Sequence, residues 1–305
     1  MTRITDIAAH AQLLSNMAAA QSRIGKLNVQ ISSGKTAQRF QGLELQDTSR
    51  LIDLKTSHQR TAQFLRNIQA ADQRLTFMEN AASTTFDVAK QFRTQLINAL
   101  NMDNASDLTL VSDARAFLET VAGQLNKTHE GRYLFSGTRT DTRPVDIDDP
   151  DFFSVFPAMP TSADTSYFQG DSQKLTVRAD TDISITYGVT ADQAGFEEII
   201  RALKLVSIAG QPPSRDVLEE ALGVTNQAID DIPRIVSSIG AVRKQLQDVE
   251  TIHTDLQLYL EQGISDIENV DVSKALTQLS QEQLTMEASF STISVMRGLT
   301  LTNFL

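Results

Sequence analysis

The sequence VDVSKALTQLSQEQLTMEASFSTISVMRGLTLTNFL, residues 270–305, carries an apolar row around which the rest of the chain is organised. The positions of this row alternate four and three apart, which is the spacing of a seam on one side of a helix. The row consists of Val272, Leu276, Leu279, Gln283, Met286, Phe290, Ile293 and Arg297. The other side chains are mainly Ser, Thr and Gln. The pattern therefore predicts a helix with one apolar face that needs a partner.

A second apolar row lies near the other end of the chain. Its members recur at helical spacing and are Ile7, Leu14, Met17, Ile24, Leu27 and Ile31. Three consecutive alanines at positions 18–20 allow another helix to approach closely. The row ends at Ser32 and Ser33, with Gly34 at the C-cap position. We expect the two terminal helices to pair side by side and antiparallel, because each supplies the apolar face that the other lacks.

Between these ends, long helical patterns flank a segment of different composition. No Gly or Pro occurs from Leu43 to Ala122. Helical periodicity returns from Arg215 to Gln262, with Ser214 as its N-cap and a kink expected at Pro233. Residues 131–195 contain four of the seven prolines and strand-like alternation. The predicted fold is mainly α: a long antiparallel helical rod, paired terminal coiled-coil helices and a small β-rich inserted tip.

The same pattern predicts three parts, of which two are formed from separate pieces of the chain. Residues 1–42 and 264–305 form a terminal coiled-coil segment. Residues 43–130 and 211–263 form the helical rod domain, and residues 131–210 form the β-rich outer domain. The chain is expected to run outward along the rod, fold the tip and return.

Composition excludes several classes of partner. The net charge of −11 and the pI near 4.8 provide no basic surface for a phosphate backbone, so no nucleic acid partner is expected. Disulfides and thiol chemistry are excluded because there is no cysteine. No window reaches eighteen apolar residues, so no membrane insertion is predicted. The amphipathic N-terminus does not resemble a Sec signal peptide.

No residue pattern predicts an active site, a cofactor site or a metal site. The segment Ser33 to Thr36 reads SGKT, but a P-loop needs glycine where Val29 stands. The acidic run from Asp146 to Asp151 lacks the register of a calcium loop and is interpreted as a solvated turn. The histidines stand alone, without ligand spacing: His10, His58, His129 and His253. The sequence therefore predicts a protein that is not an enzyme.

Apolar rows at helical spacing usually belong to an intramolecular core, and this interpretation suits the rod. The terminal rows differ, since an isolated helix pair is marginally stable. We therefore predict that they are buried among neighbouring copies. The predicted assembly interface consists of Ile7, Leu14, Met17, Ile24, Leu27, Ile31, Leu276, Leu279, Met286, Phe290, Ile293, Leu299 and Leu305.

Four short strings spread along the chain resemble the flagellin superfamily. They are LNVQISSGK at 27–35, GRYLFSGT at 131–138, YFQGD at 167–171 and LTLTNFL at 299–305. The family motif of the second string comprises Gly131, Arg132, Tyr133, Leu134, Phe135, Gly137 and Thr138. The sequence departs from the family at residues 39–47, where an acidic patch is common. The resemblance nevertheless covers both ends and the boundary of the insertion.

The resemblance implies a structural subunit of the bacterial flagellum, most similar to the adaptor that joins hook to filament. Such a subunit is secreted unfolded through the flagellar type III channel and folds on assembly. The implied partners are copies of itself, a neighbouring hook-associated protein, flagellin, and a cytoplasmic export chaperone that binds the C-terminal segment. The terminal helices would form the inner layer of a tube, the rod the next layer and the insertion its outer surface.

Two other functions fit the same sequence features. One is that of flagellin itself, the filament subunit, since some flagellins carry related strings. The other is a helical coiled-coil signalling or adhesion module, in which the apolar row would serve a dimer. That module would be a discrete soluble dimer with ordered ends, whereas a flagellar subunit would be a monomer with mobile ends.

Overall fold

The computed structural model describes residues 2–37, 45–101, 108–148, 152–153 and 157–302, and its account of side chains leaves out 2–10, 108 and 296–302. The helices are α1 (Thr2–Ser33), α2 (Leu45–Asn101), α3 (Leu108–Leu125), α4 (Ala194–Ser207), α5 (Arg215–Glu268) and α6 (Val272–Thr302). The strands are β1 (Thr128–His129), β2 (Arg132–Tyr133), β3 (Leu175–Arg178) and β4 (Ser184–Tyr187). The fold is mainly α, as predicted.

The chain divides into two units, and α2 and α5 contribute to both. The first unit contains Met1–Arg60 and Leu256–Leu305, and therefore includes α1, α6, the beginning of α2 and the end of α5. The second unit contains Thr61–Asp255. Helix α1 packs against α6 within the first unit. The predicted pairing of the terminal helices is confirmed.

In the first unit, the end of α1 lies beside the start of α6. Gly34 has a φ of +68°, a left-handed conformation that glycine adopts without strain and that ends the helix. The main chain then pairs with the segment between α5 and α6: Thr36 N–H donates to the Glu268 carbonyl at 2.7 Å, and Val270 N–H donates to the Gly34 carbonyl at 3.0 Å. These bonds set the antiparallel direction of the pair.

The second unit has one hydrophobic core to which both the helices and the intervening segment contribute. Large side chains of α2 and α3 lie in this core, including Phe92, Leu96 and Leu118. Phe135, which belongs to neither helix, lies edge-on to Phe196 of α4 at 5.7 Å between ring centroids. The core thus ties the segment after α3 to the long helices.

Two small antiparallel hairpins form the β structure of the second unit. In the first, Thr128 pairs with Tyr133 and His129 with Arg132. In the second, β3 pairs with β4 from Leu175 opposite Tyr187 to Arg178 opposite Ser184, where alternation predicts strands. Each sheet described here has only two strands. The prolines of this segment limit further pairing, because proline has no N–H to donate to a ladder.

The long helices agree with the sequence pattern in most respects. Helix α5 begins at Arg215, directly after the predicted N-cap Ser214, and it continues through Pro233 as one helix. Helix α2 ends at Asn101 and α3 begins at Leu108. His253 is buried, and its Nε2 lies 2.7 Å from the Ala179 carbonyl oxygen, consistent with a packing role.

A half-buried glutamate of α4 lies near an acidic residue of α5. Burial and the nearby carboxylate of Asp231 raise the pKa of Glu198 to about 7. Because the folded-state pKa exceeds the usual value of 4.5, the folded state binds the proton more tightly than the unfolded state does. This carboxyl group therefore makes folding less favourable as pH rises from about 4.5 to 7.

The variant Glu198→Gln is expected to be more stable than the parent above pH 7, by about 1 kcal/mol after allowance for solvent screening. The difference should disappear as pH falls towards 4.5, where both side chains are neutral. Urea unfolding at pH 5 and pH 8 measures it. Glu119→Gln, at an exposed position of α3, is the matched control. An equal gain at both pH values would contradict the titration argument.

Candidate assembly interface

The face of α1 that packs on α6 follows an uninterrupted four-three alternation. Its members are buried or half-buried: Leu13, Met17, Ala20, Ile24, Leu27 and Ile31. Ala20 and Leu27 are the most enclosed of them. A small residue at the centre allows close approach of the two helix axes, as the run of alanines predicts. This spacing is that of a coiled-coil seam.

The facing surface of α6 has the same alternation but a mixed composition. Its members are Ala275, Leu279, Glu282, Met286, Ser289 and Ile293. Glu282 is held by Arg23 of α1 in a two-pronged ion pair, with Nε to Oε1 at 2.7 Å and Nη2 to Oε2 at 2.9 Å. The hydrogen bonds from Arg23 lower the pKa of Glu282. This contact fixes the register of the two helices.

A second ionic cluster joins the parts of the first unit near the start of α6. The Glu268 carboxylate accepts a hydrogen bond from Lys35 Nζ at 2.8 Å and also pairs with Lys55 of α2. The two ammonium groups lower the pKa of Glu268. Nearby, His58 Nε2 lies 3.1 Å from Glu261 Oε1. The end of α1 is thereby tied to α2 and α5.

The predicted interface residues fall into three groups. Met17, Ile24, Leu27, Ile31, Leu279, Met286 and Ile293 line the contact between α1 and α6. Leu14, Leu276 and Phe290 are 50%, 47% and 57% exposed. The side chains of Ile7 and Leu299, and the whole of Leu305, lie outside the described residues. One predicted surface thus contains both an intramolecular seam and an apolar side that α1 leaves uncovered.

Sequence reasoning missed Leu13, Ala275 and the Arg23–Glu282 pair as parts of the seam, whereas the alanines at 18–20 were recognised as a place of close approach. The signal was present, since positions 13 to 31 and 275 to 293 each keep a regular four-three alternation. Several members of this alternation are small or polar, so a search for large apolar side chains does not find them. The predicted row of α6 therefore includes Leu276 and Phe290, which lie beside the face that contacts α1.

The uncovered side of α6 carries several large apolar side chains. The exposed ones are Val272, Leu276, Leu284, Phe290 and Val295. With 3.6 residues per turn, Val272, Leu276 and Phe290 lie beside the seam, and Leu284 and Val295 lie on the opposite side of the helix. We call these five residues the open face of α6. It offers apolar area for a further partner while α1 remains in place.

The family motif at 131–138 lies inside the second unit and contacts another of the recognised strings. Gly137 has a φ of +70°, and a Cβ atom there would lie 2.1 Å from the Asp171 carbonyl oxygen. Asp171 in turn accepts hydrogen bonds from Thr138, whose N–H lies 2.8 Å from Oδ1. These bonds lower the pKa of Asp171. The motif is therefore joined directly to the YFQGD string.

Buried contacts anchor the middle of the motif. The Arg74 guanidinium of α2 donates to the carbonyl oxygens of Tyr133 and of Leu134, the latter at 3.1 Å. The Phe135 carbonyl accepts from Ala191 N–H at 2.9 Å. Leu134 and Phe135 lie in the core. The contacts of Tyr133, Leu134 and Phe135 thus stabilise the fold. Arg132, in contrast, is exposed.

The described part of the chain has no arrangement suited to catalysis or metal binding. Among those residues, no group of three or more potential metal-ligating side chains comes together. No described helical segment combines the length and the apolar character needed to cross a bilayer.

Comparison with known proteins finds a matching family model and relatives that align with most of the chain. Residues 222–305 match the family model of the bacterial flagellin C-terminal helical region. Flagellar hook-associated protein 3 of Escherichia coli K12 is 20% identical over 283 residues, covering 83% of this chain and 84% of that protein. The Salmonella typhimurium protein of the same name is 19% identical and covers 98% of each chain.

The fold is also found in a solved structure. The crystal structure of Bacillus cereus FlgL superposes with a TM-score of 0.57 at 18% identity, over 70% of this chain and 98% of that one. The match to the flagellin C-terminal region confirms the resemblance predicted from the strings. Within the flagellin-like class, the chain is similar to flagellar hook-associated protein 3, FlgL. This class is structural, and the chain is not an enzyme.

Proposed function

We propose that this chain is a structural subunit of the bacterial flagellum, in which it joins the hook to the filament. The open face of α6 carries this proposal, because it leaves apolar area uncovered in the segment matched to the flagellin C-terminal region. The relatives that align with most of the chain are named for association with the hook. An apolar helix pair that is incomplete by itself suits a subunit of a polymer.

In this assembly, copies of the chain pack through their terminal helices. The interface includes the residues predicted from sequence, with Leu284 and Val295 added from the open face. The seam between α1 and α6 holds the pair together within one subunit, and the open face contacts the neighbouring subunits. The helical rod and the β-containing segment at 131–210 form successive outer layers.

Folding of the terminal pair is coupled to assembly. Few of the described side chains of α1 and α6 are fully enclosed in a single chain, so this part of the intramolecular seam provides little of the burial needed to order two long helices. Burial between subunits supplies the remainder, which links folding to polymerisation. Export in an unfolded form and secretion to the flagellum are consistent with this coupling, as is an export chaperone on the unassembled C-terminal segment.

The neighbours on the two sides are a hook-associated protein and flagellin. A junction subunit needs surfaces for both, and a flagellin-like terminal pair is suited to the filament side. No nucleic acid partner or membrane insertion is part of this proposal.

Immunogold labelling of intact flagella tests the location. We expect label confined to one ring between hook and filament, and detached filaments in a strain that lacks the protein. Label spread along the filament would reject the junction role and would support the alternative that the chain is the filament subunit. That second function has one specific observation in its favour, namely the family model, which is that of flagellin.

Sedimentation of the purified chain tests the remaining alternative. A flagellar subunit is expected to be monomeric before assembly, with rapid hydrogen exchange in α1 and α6. A discrete dimer with protected terminal helices would instead support a coiled-coil signalling or adhesion module.

A further inference from the structure

A cavity of about 720 Å³ opens on the second unit and is lined by three arginines. Arg74 comes from α2, Arg132 from β2 and Arg178 from β3. The remaining wall is largely polar, with His129, Thr138 and Tyr187 among its members. Glu130 is the one acidic side chain among the described lining residues. The cavity is therefore cationic in a protein whose net charge is −11.

Arg74 lies at the enclosed part of this site. It is 7% exposed, and its Nε has no hydrogen-bond partner among the described residues. Burial lowers the pKa of Arg74, and repulsion by Arg132 lowers it further, against an opposing contribution from Tyr187. The group nevertheless stays charged, because arginine remains protonated in proteins. Its Nη2 donates to the carbonyl oxygens of Tyr133 and Leu134. Because no carboxylate neutralises this charge among the described residues, an anion in the cavity gains from its attraction.

The two arginines at the rim are also without carboxylate partners. Arg178 is positioned by main-chain oxygens, with Nε to the Asp180 carbonyl at 3.3 Å and Nη2 to the Thr181 carbonyl at 2.7 Å. No ion pair of Arg74, Arg132 or Arg178 is formed within the described residues. A guanidinium group can donate two parallel hydrogen bonds to one carboxylate, and the neighbouring hydroxyl groups can donate to the same oxygens.

The chain contains an acidic segment that suits this cavity. Residues 146–151 read DIDDPD. Asp148 is 74% exposed at its side chain although it pairs with Arg143 at 2.8 Å. Asp146 and Asp148 are not among the residues that line the cavity of the same chain. A neighbouring copy can therefore present this segment in a head-to-tail contact, in which two different surfaces meet.

We propose that the arginine-lined cavity receives the carboxylates of Asp146 and Asp148 of a neighbouring copy. This inference rests on the proposed function, since it requires copies to lie side by side. The contact is electrostatic and lies in the second unit, so it is separate from the apolar contact of the terminal helices. It sets the lateral register of subunits and contributes to partner specificity more than to bulk affinity.

A labelled peptide with the sequence of residues 143–153, RPVDIDDPDFF, tests the contact in solution with the intact chain. Fluorescence anisotropy is expected to show binding that weakens as salt is raised. Arg132→Glu with Arg178→Glu should weaken binding about tenfold or more, whereas Arg66→Glu, an exposed arginine of α2 outside the cavity, should not. Absence of binding, or equal binding by the double variant, would overturn the proposal.

A charge exchange tests the same contact in assembled flagella. Either Arg132→Glu with Arg178→Glu or Asp146→Lys with Asp148→Lys should reduce incorporation several-fold, and a chain carrying all four changes should recover it. Two pairs of exposed positions outside the cavity control for net charge: Arg60→Glu with Arg66→Glu in α2 matches the first double variant, and Asp255→Lys with Asp266→Lys in α5 matches the second. Normal incorporation of both double variants would refute the contact but leave the junction role intact, whereas wild-type label away from the hook–filament ring would reject the role itself.

Discussion

A chain carrying Leu279→Asp and Met286→Asp is expected to be absent from flagella while its second unit remains folded. Both side chains are half-buried on the face of α6 that packs on α1. A carboxylate at either position loses hydration without gaining a partner, at a cost of several kcal/mol. Few of the described seam side chains are fully enclosed, so the remaining apolar burial offsets little of this free-energy cost.

Incorporation is measured by immunogold labelling and by blotting of purified flagella. Gln281→Asp with Thr292→Asp adds the same charge at exposed polar positions of the same helix and should assemble normally. The amount of protein in the culture medium separates failed assembly from failed export, since an exported but unincorporated subunit accumulates there. Normal incorporation of the Leu279 and Met286 variant would mean that this face is not needed for assembly.

The variant Gly137→Ala is expected to lower the free energy of unfolding of the second unit by about 3 kcal/mol. Two effects add: an L side chain disfavours the φ of +70°, and the new Cβ would lie 2.1 Å from the Asp171 carbonyl oxygen. Since that oxygen belongs to the main chain, no side-chain rotation relieves the contact. Urea unfolding followed by circular dichroism measures the loss.

Two other glycines separate these effects. Gly131 has a φ of +74°, but a Cβ atom added there would meet no neighbour within 4 Å, so Gly131→Ala should lose only the conformational part, about 1–2 kcal/mol. Gly123 is helical and equally open, and Gly123→Ala should gain about 0.5–1 kcal/mol. If Gly137→Ala were no worse than Gly131→Ala, the steric argument would fail.

Sequence periodicity was sufficient to predict the helices and the pairing of the chain ends. The apolar rows of α1 and α6 are long, and a helix with one apolar face must cover it. Periodicity was less informative about register, because Ala20, Ala275 and Glu282 occupy seam positions that a search for large apolar residues passes over. The register also matches the two-pronged Arg23–Glu282 pair, which joins residues 259 positions apart.

The arginine-lined cavity could not be predicted from the sequence. Its cations come from α2 and from two separate hairpins, and nothing in the spacing of Arg74, Arg132 and Arg178 indicates that they converge. The motif string at 131–138 was recognisable as a resemblance, but its physical role depends on contacts with Asp171 and Arg74. Such long-range contacts require the folded chain.

The pairing of α1 with α6 also has a consequence for the order of folding. Because it joins the two ends of the chain, the entropy of closing so long a loop opposes it in the unfolded state. Prior folding of residues 61–255 replaces most of that loop by a fixed structure and lowers the closure entropy. We therefore expect the terminal pair to form late in folding, because its contacts join residues far apart in the sequence.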